Sequence, residues 1–234
     1  MRIYSHRGML RKAPENTLAA YQCAIDHGFD IELDVQITRD EQLICVHDWQ
    51  LGRTAPGTGM IWSYTLDELK ALDAGTWFSS AFEGERIPTF REALDLVKGK
   101  AHLAIEMKCP GIDEPLVQAL EETGMLDQVY VFDIPQDFYF APRLKNICPH
   151  IKVGRNCISE HDFDSLQRDD FRHIDVIMAI TRNPWLTEAH VKIAHDAGVE
   201  IVDTGVHDIE KMQRTSELGL DGLCSDCPDD LGIG

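Results

Sequence analysis

The chain has 234 residues, 44% of them apolar and 26% charged, a composition typical of folded domains that excludes disordered and collagen-like chains. With 22 Lys and Arg against 40 Asp and Glu, its net charge is −18, so we expect no nucleic-acid partner. No apolar run reaches the roughly 18 residues of a membrane span, so we expect no stable membrane insertion. Seven cysteines, an odd number, predict reduced thiols and a cytoplasmic location.

Short apolar segments bounded by turn residues recur along the chain and alternate with helical patterns. Helical patterns over 16–27, 89–98, 114–123 and 187–197 are each followed directly by a glycine, a common helix end. This alternation predicts βαβ units and a parallel sheet. The strand candidates are 2–6, 30–37, 43–47, 102–108, 129–133, 151–155, 174–180, 199–204 and 221–225.

One connection is too short for a parallel crossover, which needs about a dozen residues. Only residues 39–42 separate the strand at 30–38 from the strand at 43–47, so we expect an antiparallel hairpin. The hairpin would place His47 opposite Asp34, within one residue of register. Eight parallel candidates remain. They favour an α/β fold, a (β/α)8 TIM barrel forming one domain over 1–234, with 49–88 as a cap insertion.

Acidic residues sit at the ends of two predicted strands. Glu32 and Asp34 alternate with apolar residues and share one face, and Glu106 and Lys108 repeat this spacing on another strand. A solvent-facing edge strand and a simple salt bridge are the alternative interpretations. In a closed barrel the carboxylates would instead point into the mouth, where a cation offsets the cost of burying charge. Three carboxylates suit Mg²⁺ or Ca²⁺, and the Lys108 ammonium suits a phosphate oxygen.

Two histidines follow strands at the same end of the predicted barrel. A lone histidine is usually structural, but His6 and His47 beside a metal site would form an acid and base pair. Arg7 offers a planar fork that matches phosphate, and Asp48 can orient an imidazole ring. These residue types together indicate phosphodiester cleavage.

Cys224 and Cys227 have the spacing of a metal-binding or redox pair. No second pair of cysteines or histidines completes a zinc set, and no thioredoxin-like pattern surrounds them. We therefore expect no structural zinc at this position.

Several short motifs follow one another in a set order along the chain. They are His6-Arg7-Gly8, Ala13-Pro14-Glu15-Asn16-Thr17, Glu32-Leu33-Asp34-Val35, Val46-His47-Asp48, Arg53-Thr54, Glu106-Met107-Lys108, Asp221-Gly222 and Ser225-Asp226. In this order they resemble the glycerophosphodiester phosphodiesterase family, a set of metal-dependent TIM-barrel enzymes related in fold to the phosphatidylinositol-specific phospholipases C. The resemblance is dense over 3–108 and 217–231.

The resemblance implies roles for seven of the matched residues. It implies metal ligation by Glu32, Asp34 and Glu106, acid and base roles for His6 and His47, and phosphate contacts from Arg7 and Lys108. The implied reaction is the divalent-metal-dependent hydrolysis of a small glycerophosphodiester to sn-glycerol 3-phosphate and an alcohol. The sequence does not assign the two histidines to their separate roles, and it leaves a homo-oligomer open.

Three alternatives to this reaction stay open on the sequence. The same barrel could act as a lysophospholipase D or release a cyclic phosphate, and a non-catalytic metabolite-binding barrel is the alternative from another class. A lipid substrate would need an apolar lip. Trp62, Trp77, Phe78 and Phe82 could supply one, or they could pack the cap onto the barrel.

Asp203 ends the strand at 199–204, where the resembled family usually has a Trp. A carboxylate there can attract a cationic head group or accept hydrogen bonds from glycerol hydroxyls. It can equally cap the following turn. A substrate contact and a structural role are both open for this residue.

Overall fold

The structure, a computed structural model, describes residues 1–133, 140–166, 170–181 and 185–232. Within these residues the sheet closes into a ring, because β1 pairs with both β2 and β9. All neighbouring strands of the ring are parallel, and this confirms the predicted (β/α)8 barrel. The strands are β1 (Arg2–Ser5), β2 (Asp30–Ile37), β3 (Leu43–Cys45), β4 (Leu103–Met107), β5 (Val129–Asp133), β6 (Val153–Cys157), β7 (Val176–Ile180), β8 (Glu200–Thr204) and β9 (Gly222–Ser225).

Helices follow the strands and cover the outside of the ring. Several begin at a side chain that accepts a hydrogen bond from the first turn; the Thr89 hydroxyl accepts from the Glu92 N–H, and the Glu92 carboxylate accepts from Thr89 in return. The four predicted helices are all present, with ends within two residues of those expected. The helices are α1 (Leu18–Asp26), α2 (Leu66–Lys70), α3 (Phe90–Val97), α4 (Asp113–Thr123), α5 (Phe140–Ile147), α6 (Glu160–Ser165), α7 (Glu188–Asp196) and α8 (Ile209–Glu217).

Alternate residues of each barrel strand separate two apolar regions. Ile31, Leu33 and Ile105 point outward and pack with the helices in the main core. Inward-facing side chains, among them Tyr130 and Met178, fill the interior of the ring as a smaller cluster. The polar residues at the carboxyl ends of the strands on this inner face line the open mouth of the barrel.

The hairpin that leaves the ring is present as predicted. In it β3 pairs with β2 in antiparallel fashion, with Val35 opposite Cys45 and Ile37 opposite Leu43. This register differs by one residue from the expected pairing, and the Val46 N–H donates to the Asp34 carbonyl over 3.1 Å. His47, the next residue after Val46, therefore lies near Asp34 at the mouth of the barrel.

The segment 49–88 contains α2 and short 3-10 turns at Ile61–Ser63 and Ser80–Phe82. It has an apolar cluster of its own, in which Ile61, Leu69 and Ile87 pack with Ile44 and Val46 of the hairpin. The segment therefore rests on the outer strand that carries His47. None of the helices in the described ranges is long and apolar enough to span a bilayer.

Candidate active site

Three carboxylates from two neighbouring barrel strands converge at the mouth. Asp34 lies beside Glu106 in the β2–β4 pairing. Glu32 lies two residues before Asp34 on β2, on the same inward face of the strand. One oxygen from each of the three lies within 4.8 Å of the others. Burial and the nearby Asp34 charge raise the pKa of Glu32 to about 7, and the same two causes raise the pKa of Glu106. Such mutual repulsion is relieved when a cation is bound.

The donor chemistry of this cluster fits a divalent cation. Asp34 is fully buried, and its Oδ1 atom has no hydrogen bond although the Lys108 ammonium lies 3.1 Å away. Carboxylate oxygens are the ligands that Mg²⁺ and Ca²⁺ prefer in proteins. Glu32, Asp34 and Glu106 therefore form a set that suits either ion.

Two cationic side chains, Lys108 and Arg7, flank the carboxylates. Burial opposes the charge of Asp34, but the Lys108 ammonium and the Arg7 guanidinium together hold the pKa of Asp34 below its ordinary value. Lys108 Nζ also lies 2.7 Å from Glu106 Oε1. These cations line the mouth, where they can bind an anionic group that reaches the carboxylates.

The β1–α1 turn sets the direction of Arg7. Its backbone is left-handed, with a φ of 54°, and its N–H donates to Glu32 Oε2 over 2.9 Å. The next residue, Gly8, has a φ of 81°, and a Cβ there would lie 2.7 Å from the Ala20 Cβ. Only glycine fits this close approach of the turn to α1, which explains the His6-Arg7-Gly8 sequence in structural terms.

His6 is held by a carboxylate from the last barrel strand. Its Nδ1 lies 2.6 Å from Asp226 Oδ1, and its Nε2 lies 3.9 Å from Glu32 Oε2. Burial lowers the pKa of His6, but the hydrogen bond to Asp226 and the charge of Glu32 outweigh it and raise the pKa overall. The ring thus faces the three-carboxylate cluster with Nε2.

His47 is held in the same way by its neighbour. Its Nδ1 lies 2.8 Å from Asp48 Oδ1, and burial lowers the pKa of His47. The Gln36 side-chain amide lies within 3.0 Å of the carbonyls of Val46, His47 and Asp48, and this fixes the turn that carries the ring. In both histidines Nδ1 is hydrogen-bonded to a carboxylate, and Nε2 is the nitrogen with no hydrogen bond to a carboxylate among the described residues.

All the predicted acid, base, phosphate and metal residues except the buried Asp34 line one cavity of about 700 Å³. A second cavity of about 560 Å³ shares His47 and Lys108 with it and is lined by Trp49 and Leu51. The first cavity has the size of a small-molecule site. Its lining is completed by Phe132, Asn156, Met178, Ile180, Thr204, Gly205, His207, Asp208, Lys211, Cys224 and Asp226.

Asp203 does not join this group. Its carboxylate is buried between β8 and α8, where Oδ1 accepts from the Thr181 hydroxyl over 2.5 Å and Oδ2 accepts from the Thr215 hydroxyl over 3.0 Å. It points to the helix layer because it alternates with Val202 and Thr204, which face the barrel interior and the mouth. These two hydrogen bonds indicate a structural role for Asp203 between β8 and α8, rather than a cap of the following turn. A substrate contact from Asp203 stays a prediction.

Four aromatic side chains of the segment 49–88 are also apart from the mouth. Trp77, Phe78 and Phe82 pack edge to face, with ring centroids 5.8 and 5.6 Å apart. Neither they nor Trp62 line the two mouth cavities as these are formed by the described residues. Trp49, which does line one of them, donates its indole N–H to the Lys108 carbonyl over 3.0 Å.

Asn16 and Asp226 are among the polar residues of the site that had no assigned role in the sequence analysis. Asn16, at a left-handed φ of 54°, donates to Asp34 Oδ2 over 2.7 Å and accepts from the hydroxyl of Tyr21. Asp226 follows β9 directly, and its place at a strand's carboxyl end was the signal that could have identified it. The cysteines on either side of this point, like the other five, are free thiols.

Comparison with known proteins agrees with this geometry. A sequence model of the glycerophosphoryl diester phosphodiesterase family matches residues 6–230. The glycerophosphodiester phosphodiesterase of Caldanaerobacter subterraneus subsp. tengcongensis is 35% identical over 239 residues, which cover 98% of this chain and 95% of that protein. A Bacillus altitudinis enzyme of the same name is 29% identical over 241 residues, covering 97% and 95%.

Solved structures give the same result for the fold. A glycerophosphodiester phosphodiesterase from Agrobacterium tumefaciens superposes with a TM-score of 0.84 at 28% identity, covering 99% of this chain and 98% of that one. An Oleispira antarctica phosphodiesterase, solved in complex with the product sn-glycerol-3-phosphate, superposes with a TM-score of 0.86 at 26% identity, covering 99% and 95%. The chain therefore belongs to the glycerophosphoryl diester phosphodiesterase family and is an enzyme of that class.

Proposed function

We propose that this phosphodiesterase hydrolyses small glycerophosphodiesters to sn-glycerol 3-phosphate and an alcohol, with a divalent cation and with His6 and His47 as the acid and base pair. The observation that carries the proposal is that both rings line the cavity that contains the carboxylate cluster, each with Nδ1 against a carboxylate. The product bound to the Oleispira antarctica relative supports the same product here.

Glu32, Asp34 and Glu106 would hold the cation, and the oxygen-only donor set makes Mg²⁺ and Ca²⁺ the candidates. When bound, a divalent cation supplies positive charge that lowers the cost of negative charge developing on the phosphate. The cluster contains no cysteine or histidine among the described residues, so a thiolate-preferring metal is disfavoured.

Arg7 and Lys108 would bind the phosphate oxygens. Lys108 is a compact charge already placed between Asp34 and Glu106, whereas the planar guanidinium of Arg7 can present two parallel N–H groups. Both lie in the largely buried part of the cavity, where water competes poorly for a charge-assisted hydrogen bond. Together they would fix the phosphorus between the two histidines.

With each Nδ1 engaged by a carboxylate, Nε2 is the nitrogen left on each ring to exchange a proton with the substrate. One histidine would accept the proton of the attacking hydroxyl, either a water or the glycerol 2-hydroxyl. In the second case the first product would be a cyclic phosphate, and a water would then have to open it to give sn-glycerol 3-phosphate. The other would donate a proton to the oxygen of the departing alcohol. Asp226 and Asp48 would stabilise the protonated state of the ring that each one contacts.

The four aromatic residues named as a possible apolar lip, Trp62, Trp77, Phe78 and Phe82, do not line the mouth cavities formed by the described residues, which leaves Trp49 and Leu51 as the apolar side chains of the second cavity. We therefore propose small water-soluble diesters as substrates. The free thiols support the cytoplasmic location expected from the sequence.

The test is turnover of glycerophosphocholine, glycerophosphoethanolamine and glycerophosphoglycerol with Mg²⁺ or Ca²⁺, followed by release of sn-glycerol 3-phosphate. ³¹P NMR of the reaction distinguishes this product from a cyclic phosphate. Lysophosphatidylcholine serves as the comparison substrate for the lipid alternative. Binding without turnover of any of these compounds would contradict the proposal and favour a metabolite-binding barrel.

A further inference from the structure

Arg53, in the segment 49–88, contacts two carboxylates at once at the edge of the mouth. Its Nη1 and Nη2 donate to the two oxygens of Glu15 over 2.6 and 2.7 Å. Its Nε and Nη2 donate to the two oxygens of Asp48 over 2.6 and 2.9 Å. A planar guanidinium can form both bidentate pairs, and an ammonium cannot.

The Glu15 side of this arrangement is anchored to the barrel. Its carboxylate is buried and also accepts from Arg7 Nη1 over 2.8 Å, while Arg7 Nε lies 3.4 Å from Asp34 Oδ2. Glu15 therefore has little freedom to move, and Arg53 is held in one orientation by a fixed partner.

The Asp48 side continues to His47. Asp48 Oδ1 lies 2.9 Å from Arg53 Nη2 and 2.8 Å from His47 Nδ1, so one oxygen accepts from both groups. With both oxygens bound to the guanidinium, the carboxylate plane cannot rotate independently of Arg53. The direction from which Asp48 meets the imidazole is therefore set by Arg53.

We infer that Arg53 is a positioning residue: it holds Asp48 so that His47 keeps a proton on Nδ1 and presents Nε2 to the substrate. The inference rests on the proposed function where it concerns turnover, because it takes His47 as the acid or base. The part of the inference that concerns the His47 ring does not depend on turnover, since the tautomer of His47 can be observed without any substrate.

The kinetic test compares Arg53→Gln and Arg53→Lys with Arg39→Gln. Arg39, whose side chain is 55% exposed against 44% for Arg53, contacts the same segment through Ser63 and Glu68 and makes no hydrogen bond or ion pair with His47 or Asp48 among the described residues. We expect both Arg53 variants to lower kcat by about 10-fold to 100-fold, with the KM of the diester and the Mg²⁺ affinity within about 2-fold of wild type. Arg39→Gln should leave all three unchanged.

A double variant decides whether Arg53 acts through Asp48. If it does, Arg53→Gln combined with Asp48→Asn should lose no more than about 2-fold beyond Asp48→Asn alone. If the loss of kcat in the double variant equals the product of the losses in the two single variants, the inference is overturned. A fall in kcat in Arg39→Gln as large as that in Arg53→Gln would also overturn it. An unchanged kcat in Arg53→Gln would overturn it too.

¹⁵N spectra of histidine-labelled protein test the ring directly, with the His47 signals assigned from their loss in His47→Gln. We expect the Nδ1-protonated tautomer in wild type and a mixture of tautomers in Arg53→Gln. Identical His47 spectra in the two proteins would contradict the inference. If wild type hydrolyses none of the diesters, the proposed function fails, and the spectra still decide whether Arg53 positions the ring.

Discussion

The Nδ1 atom of His6 lies 2.6 Å from Oδ1 of Asp226, a residue 220 positions further along the chain. The contact exists because β1 and β9 are neighbours in the closed ring, with Ser5 beside Ser225 in the parallel register. Asp226→Asn should lower the pKa of His6, because it removes the anion whose hydrogen bond favours the imidazolium. An NMR titration of His6 measures this, and a pKa equal to that of wild type would show that the contact has no electrostatic effect.

Activity should require a divalent cation. We expect chelation followed by dialysis to abolish turnover and Mg²⁺ or Ca²⁺ to restore it, because three converging carboxylates repel one another when no cation is bound. Glu32→Gln, Asp34→Asn and Glu106→Gln should each weaken cation binding in calorimetry, whereas Glu122→Gln, a change at an exposed side chain of α4, should not. Full turnover in excess chelator would contradict the metal role.

The stability of the metal-free enzyme should fall as pH rises from about 4.5 to 7. Glu32 titrates near 4.5 when unfolded and at about 7 when folded, so the folded state binds more protons over this interval and loses stability as they dissociate. A cation replaces those protons. The rise in Tm on adding Mg²⁺ should therefore be larger at pH 8 than at pH 5, and equal shifts at the two pH values would rule out this linkage.

Loss of either histidine should affect turnover far more than folding. His6→Ala and His47→Ala should each lower kcat by about 10²-fold or more, which is the usual contribution of a general acid or base. Circular dichroism and Tm close to wild type would establish that the fold survives. A variant that keeps the wild-type kcat would remove its histidine from the mechanism.

Asp203→Asn should reduce stability and leave substrate selection unchanged. The buried carboxylate accepts hydrogen bonds from Thr181 and Thr215, and weakening them should lower the free energy of unfolding by about 1–3 kcal/mol. The ratio of kcat/KM for glycerophosphocholine to that for glycerophosphoglycerol should equal the wild-type ratio. A selective loss for the cationic head group would show that Asp203 acts on substrate after all.

Sequence periodicity was sufficient to predict the barrel and the convergence of Glu32, Asp34 and Glu106. Both follow from local rules, since parallel strands end at one edge and alternate residues share a face. The orientation of Asp203 could not be derived in this way. A residue at the end of a strand can face either the mouth or the helices, and only the register of the strands decides between them.

The contacts made by Arg53 and Asn16 illustrate a second limit. Both depend on loop conformations, and the left-handed backbone of Asn16 leaves no periodic signal in the sequence. The motif order included these residues without indicating what they touch. Only coordinates join Glu15, Arg53 and Asp48 into one group.

The outer strand β3 pairs with β2 alone among the described strands and takes no part in closing the ring. His47 is thus carried by an appendage, whereas His6 and the three carboxylates are carried by the ring itself. The placement of His47 therefore depends on side-chain hydrogen bonds from the ring, such as those from the Gln36 amide to the carbonyls of Val46, His47 and Asp48, rather than on the hydrogen-bond ladder that closes the barrel.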